Sequence, residues 1–181
     1  MHRISDLIHI FNECFKADIQ TELVRGGDEP IYIPRSQYYP YDRVIFAHGY
    51  YASAMHEIAH WCIAGDERRK LVDFGYWYNP DGRTAEQQKE FEVVEIKPQA
   101  LEWILSRSAA FNFNVSLDNL SGDLNEEAQA AETFKDNIFS QVQNYLNDGL
   151  PSRAQQLSDA LVAFYRPQEA LALEEFKRNQ I

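Results

Sequence analysis

The chain has 181 residues, 45% of them hydrophobic and 13% aromatic, with a formal net charge of -11. That length supports one sizeable core and leaves little for a second domain, and no apolar run nears the roughly 20 residues of a membrane span. The acidic balance argues against sequence-independent nucleic-acid binding, which needs basic patches, and favours a cationic partner.

The opening stretch "MHRISDLIHIFNECF" has neither the apolar core nor the small-residue cleavage site of an export signal. Cys14 and Cys62 give no disulfide framework, C-x-x-C pairs are absent, and a reducing cytoplasm is the expected compartment. Ile4, Leu7, Ile8, Phe11 and Phe15 predict an amphipathic helix over residues 4–18. Short strands follow in "TELVR", "IYIP" and "RVIFA", separated by "GGDEP" and "SQYYPYD". "YASAMHEIAHWCIA" holds no proline or glycine and predicts a helix ending near Gly65. "ERRK" reads as solvated, "LVDFGYWY" as a strand and "NPDG" as a turn.

A second long helix starts at Thr84, with Gln87 placed for a capping box and Phe91, Val94, Leu101 and Leu105 as its apolar stripe. Pro98 cannot donate to the carbonyl of Val94 and predicts a kink or a break. Two more helices are expected near 123–147 and 152–165, the first with Phe134, Ile138, Val142 and Tyr145 on one side. The expected fold is α+β: one compact domain over 1–181, a small β-sheet packed with several helices. The H-E-x-x-H helix lies in its core, and a tail from about residue 168 is peripheral.

The chemistry concentrates in "HEIAHWC". Residues four apart share a helix face, so His56 and His60 can direct two imidazoles at one ion, with Glu57 about 100° around the helix. In hydrolytic zinc enzymes that glutamate stays off the metal and acts as general base. The alternative is a pair of ordinary helix histidines. The flanking Met55, Ile58, Ala59, Trp61, Cys62 and Ile63 argue against it, because buried histidines and a buried carboxylate are costly unless paired or metal-bound.

The long form H-E-x-x-H-x-x-G-x-x-H is not met, with Ile63 at its glycine and Asp66 at its third histidine. Among Glu92, Glu95 and Glu102 of the later helix, Glu95 is preferred as third ligand because Val94 and Ile96 flank it; the alternative makes Glu92, Glu95, Gln99 and Glu102 a plain polar face. Two histidines and one carboxylate suit zinc with an open position and non-haem ferrous iron alike.

The surrounding blocks "DEPIYIP", "VIFAHGYYASAMHEIAHWCIAG", "RRKLVDFGYWYNPDGR" and "FEVVEIKPQALEW" resemble the elongation factor P hydroxylases, densely over roughly the first 120 residues and loosely beyond. The resemblance implies a hydroxylase of the β-lysyl-modified lysine of elongation factor P, with a fold likened to that of a bacterial endoribonuclease. It also implies a non-haem site using Fe(II), or zinc, with O2 as co-substrate; His56, His60 and Glu95 occupy the ligand positions. The H-x-D pattern of 2-oxoglutarate dioxygenases is not visible, and that co-substrate is not expected. No nucleic-acid or membrane partner is expected either.

A long cationic substrate chain calls for an aromatic and acidic channel, for which Tyr50, Tyr51, Asp73, Tyr76, Trp77 and Tyr78 are candidates. Each aromatic also has a plain core role open to it. His48 reads equally as a proton relay or a core histidine, Glu57 as a proton shuttle or as a residue orienting His60, and Cys62 as a small buried apolar group. Competing functions are a zinc metallopeptidase with Glu57 as base, a metal-dependent ribonuclease, and a binding module with a closed structural metal.

Overall fold

The computed structural model describes residues 2–74, 85–117 and 124–181. Its order is α1 (Ile4–Phe15), β1 (Thr21–Arg25), β2 (Ile31–Ile33), β3 (Asp42–Phe46), α2 (Tyr51–Ile63), a 3-10 turn (Arg68–Lys70), α3 (Ala85–Ser108), α4 (Leu124–Asp148) and α5 (Ser152–Tyr165). Two further 3-10 turns lie in the C-terminal tail. The architecture is α+β, as expected from the order of elements. No described helix is long and apolar enough to cross a membrane.

The sheet has the order β1-β3-β2, with β1 parallel and β2 antiparallel to β3. Val44, Ile45 and Phe46 of the central strand are buried and lead directly towards α2. Between β3 and α2 the chain turns through two residues of positive φ, His48 at 54° and Gly49 at 72°. A side chain at Gly49 would run into the Arg25 guanidinium, so both backbone conformation and space call for glycine there. Ser53 Oγ accepts from the Ala47 N–H at 3.1 Å and fixes the entry to the helix.

Two buried clusters meet along α3. One joins α1, β1, β3, α2 and α5, with Phe11, Phe15 and Trp61 stacked edge to face at its centre. The other packs α3 against α4 through Trp103, Ile104, Phe134, Ile138 and Val142. Leu101 and Leu105 are fully buried as the apolar stripe predicts, whereas Phe91 and Val94 are half-buried.

The structure refines three expectations. Of the kink or break expected at Pro98, the break does not occur: α3 runs through it, because a proline removes only one helical hydrogen bond and packing on two sides holds the remainder. The expected strand at 71–78 shrinks to a bridge of Asp73 with Tyr32, its Gly75–Tyr78 part lying outside the described residues together with the "NPDG" turn and Thr84. The tail is tied down: Phe176 is buried against Trp103, and Arg178 pairs with Glu132 and Asp136.

The C-terminal end of α2 has its own clamp. Arg153 of α5 donates Nη2 to the carbonyls of Cys62 at 3.0 Å and Ala64 at 2.7 Å, and its guanidinium lies over the Trp61 ring at 4.5 Å. These are last-turn carbonyls with no helical donor of their own. Arg153→Ala is therefore expected to lower unfolding free energy by about 2–4 kcal/mol, measured by urea denaturation.

Candidate metal centre

α2 buries Met55, Ile58, Ala59, Trp61 and Cys62 on one side and turns His56, Glu57 and His60 towards α3. α3 answers with a stripe spaced by four and three residues, Glu95, Gln99 and Glu102, which are 3%, 1% and 8% exposed. This is no solvated face. Glu92, one turn before Glu95, is half-buried, accepts from Gln88 and is not among the converging groups.

His56, His60 and Glu95 each offer one ligand atom within 4.8 Å of the others. His60 Nε2 stands 3.1 Å from His56 Nε2 and 3.2 Å from Glu95 Oε1; His56 Nε2 is 3.7 Å from Glu95 Oε2. Glu95 Oε2 is buried with no hydrogen-bond partner. Two imidazole nitrogens and a carboxylate converging on one point need a cation among them, a proton or a metal ion. The donor set of two nitrogens and one carboxylate fits zinc or ferrous iron with positions left open. The imidazole side chains are 28% and 18% exposed, so the point remains reachable.

Charge around the triad follows from its burial. Burial pushes the Glu95 carboxyl up, but the His60 hydrogen bond, the two imidazoles and Gln99 outweigh it and hold the group below its ordinary range. Burial also opposes the His56 cation; the hydrogen bond to Glu102 and the charges of Glu102, Glu95 and Glu57 overcome it and raise the imidazole to about 10. Glu57 is pushed up by burial, against the pull of both histidines and with the help of Glu95 and Glu102.

A cleft of about 430 Å³ opens beside His60. Its walls include Ile31, Val44, Ile63, Val93 and Val94, and its polar lining includes Glu57, Tyr32, Asp73 and Lys97. Of the expected channel residues, Asp73 lines this cleft and pairs with Arg68. Tyr51 does not: it is buried against His2 and Phe111, because a residue five before His56 lies about 140° around the helix. Tyr50 is largely exposed at the start of α2, and His48 sits beside it, 3.7 Å from Asp28; neither lines the cleft. Tyr76, Trp77 and Tyr78 lie outside the described residues.

Sequence reasoning missed Tyr32 and Lys97 in the lining, and Glu102 as the residue whose Oε2 lies 2.9 Å from His56 Nδ1. For Glu102 a signal existed, since a seven-residue spacing from Glu95 returns to nearly the same helix face. Nothing in the sequence placed a β2 tyrosine beside α3.

A metal ligated by His56 displaces the proton that the raised pKa retains, whereas Glu95 is already ionised. Metal uptake at pH 7 to 9 is thus expected to release about one proton, and the apparent affinity to rise roughly tenfold per pH unit. Calorimetry in two buffers of different ionisation enthalpy measures this. In the metal-free protein the same shift contributes stability that is present below the ordinary value of 6.5 and lost as pH rises through about 10.

Comparison with known proteins places the chain in a family. Residues 10–176 match the family described as elongation factor P hydroxylase. The chain is also 52% identical over 175 residues to the elongation factor P lysine hydroxylase of Haemophilus influenzae, covering 97% of this chain and 96% of that protein. At that identity and coverage, the chain belongs to the elongation factor P hydroxylase family.

Proposed function

We propose that this protein hydroxylates the β-lysyl-modified lysine of elongation factor P, with a metal ion held by His56, His60 and Glu95 and O2 as co-substrate; one oxygen atom enters the C–H bond and the other leaves as water, with two electrons from an external reductant and two protons. The observation that carries the reading is the convergence of those three ligand atoms in a chain of this family. The name of the Haemophilus influenzae relative, a lysine hydroxylase of elongation factor P, supplies the substrate. Iron is the metal favoured by the reaction, and the cytoplasm the compartment in which a translation factor is met. Neither the family nor the relative's name supports the peptidase, ribonuclease or structural-metal alternatives.

When bound, a ferrous ion supplies activation of dioxygen and the oxidising power to functionalise an unactivated C–H bond. The protein's own residues do the rest. The aliphatic walls formed by Ile31, Val44, Ile63, Val93 and Val94 take the methylene chain of the modified lysine out of water beside His60. Glu57, in the cleft lining and next in sequence to His56, is the group placed to hold or move a proton during turnover. Asp73, held by Arg68 at the cleft wall, offers a carboxylate to the cationic substrate.

Elongation factor P from cells lacking this protein is expected to weigh less by the mass of one oxygen atom in intact-mass spectrometry. Wild type restores the oxygen, and His56→Ala and Glu95→Ala do not; a factor fully hydroxylated in its absence would sink the assignment. Glu57→Gln is expected to keep the metal and lower turnover by about 10². Metal content and single-turnover rate measured on one preparation separate those two effects.

A further inference from the structure

We infer that Glu102 is a positioning residue for the metal centre: it fixes His56 in the tautomer and orientation that present Nε2 to the ion. This inference rests on the metal site proposed above and goes beyond it, since Glu102 is not one of the three converging groups.

The geometry is specific. Glu102 Oε2 lies 2.9 Å from His56 Nδ1. For Nε2 to offer its lone pair to an ion, Nδ1 must carry the ring hydrogen, and Glu102 Oε2 is placed to accept it. The other ring nitrogen, Nε2, is then the one with a lone pair for a ligand. It is also the nitrogen that faces the site, 3.1 Å from His60 Nε2 and 3.7 Å from Glu95 Oε2. A flipped ring or the other tautomer would turn a hydrogen towards the ion.

Glu102 is well placed to impose this choice. It is 8% exposed and sits two turns after Glu95 on the same helix, so one rigid element carries both the ligand and the group that orients another ligand. The next residue, Trp103, is 2% exposed and stacked on Phe113, which anchors α3 at this level. A carboxylate hydrogen-bonded to the far nitrogen of a histidine ligand also makes that ligand a better donor, and loss of such partners costs about 10–100-fold in metal affinity.

A plain tie between α2 and α3 is the competing explanation, and metal binding distinguishes the two. Cobalt(II) titrated into the metal-free protein at one fixed pH, against a chelating dye, gives affinity, and the absorption spectrum of bound cobalt reports ligand geometry. Glu102→Ala is expected to weaken cobalt binding about 10–100-fold and to change the spectrum. Glu102→Gln, whose carbonyl still accepts from Nδ1, is expected to lose less and to keep the wild-type spectrum. Glu102→Asp keeps the charge but falls one methylene short, and is expected to bind more weakly than Glu102→Gln.

Histidine nitrogen chemical shifts in the zinc-loaded protein provide the direct readout. They should show His56 protonated at Nδ1 in wild type and in Glu102→Gln. If Glu102→Ala proves unfolded by circular dichroism, the Gln and Asp variants decide by their order. Wild-type affinity and spectrum in all folded Glu102 variants, with binding lost in His56→Ala, would overturn the positioning role and leave the metal site standing. Failure of the wild-type protein to bind cobalt at all would remove the metal site and this inference together.

Discussion

Everything in this molecule is arranged around a polar seam buried between two helices. α2 contributes His56 and His60, and α3 contributes Glu95, Gln99 and Glu102, all three nearly inaccessible to water. Carboxylates removed from solvent carry a large desolvation cost unless opposite charge and hydrogen bonds stand against them. The seam therefore tolerates only a narrow set of helix positions, and the remaining elements set them. β3 and the His48–Gly49 turn fix where α2 begins, Arg153 holds where it ends, and cores on two sides seat α3.

How much of this can be read from the chain depends on the distance over which each interaction acts. The four-residue spacing of His56 and His60 is a property of one helix, and local periodicity conveys it fully. Glu95 stands out for a similar reason, with Val94 and Ile96 on either side of a charge. The 92/95/99/102 spacing marks one helix face but does not choose among Glu92, Glu95 and Glu102. A polar stripe and a solvated face nevertheless look alike in sequence until the opposite helix is known. Tyr51 shows the opposite error: proximity in sequence to the motif drew it towards the site, while helical phase sends it to the core.

Contacts between distant elements were illegible. Arg153 reaches Cys62 and Ala64 across some ninety residues, and Tyr32 joins the cleft through a bridge to Asp73. Such pairings are fixed by packing angles and loop paths, which no spacing rule encodes. Pro98 is instructive in another way. Local chemistry weighs against a helix there, and burial on both sides of α3 prevails. Family membership and geometry then answer different questions. Likeness over nearly the whole length places the chain in its family, whereas the convergent nitrogens and carboxylate mark a point that could hold a metal ion.

The anchored tail bears on how the protein is made. Phe176 packs on Trp103, the neighbour of Glu102, although His56, His60 and Glu95 precede it by 81 residues or more. During translation His56, His60 and Glu95 leave the ribosome long before the segments that seat α3 on its far side. A nascent chain thus carries these three side chains without the walls that hold them in register, and their convergence belongs to the folded polypeptide.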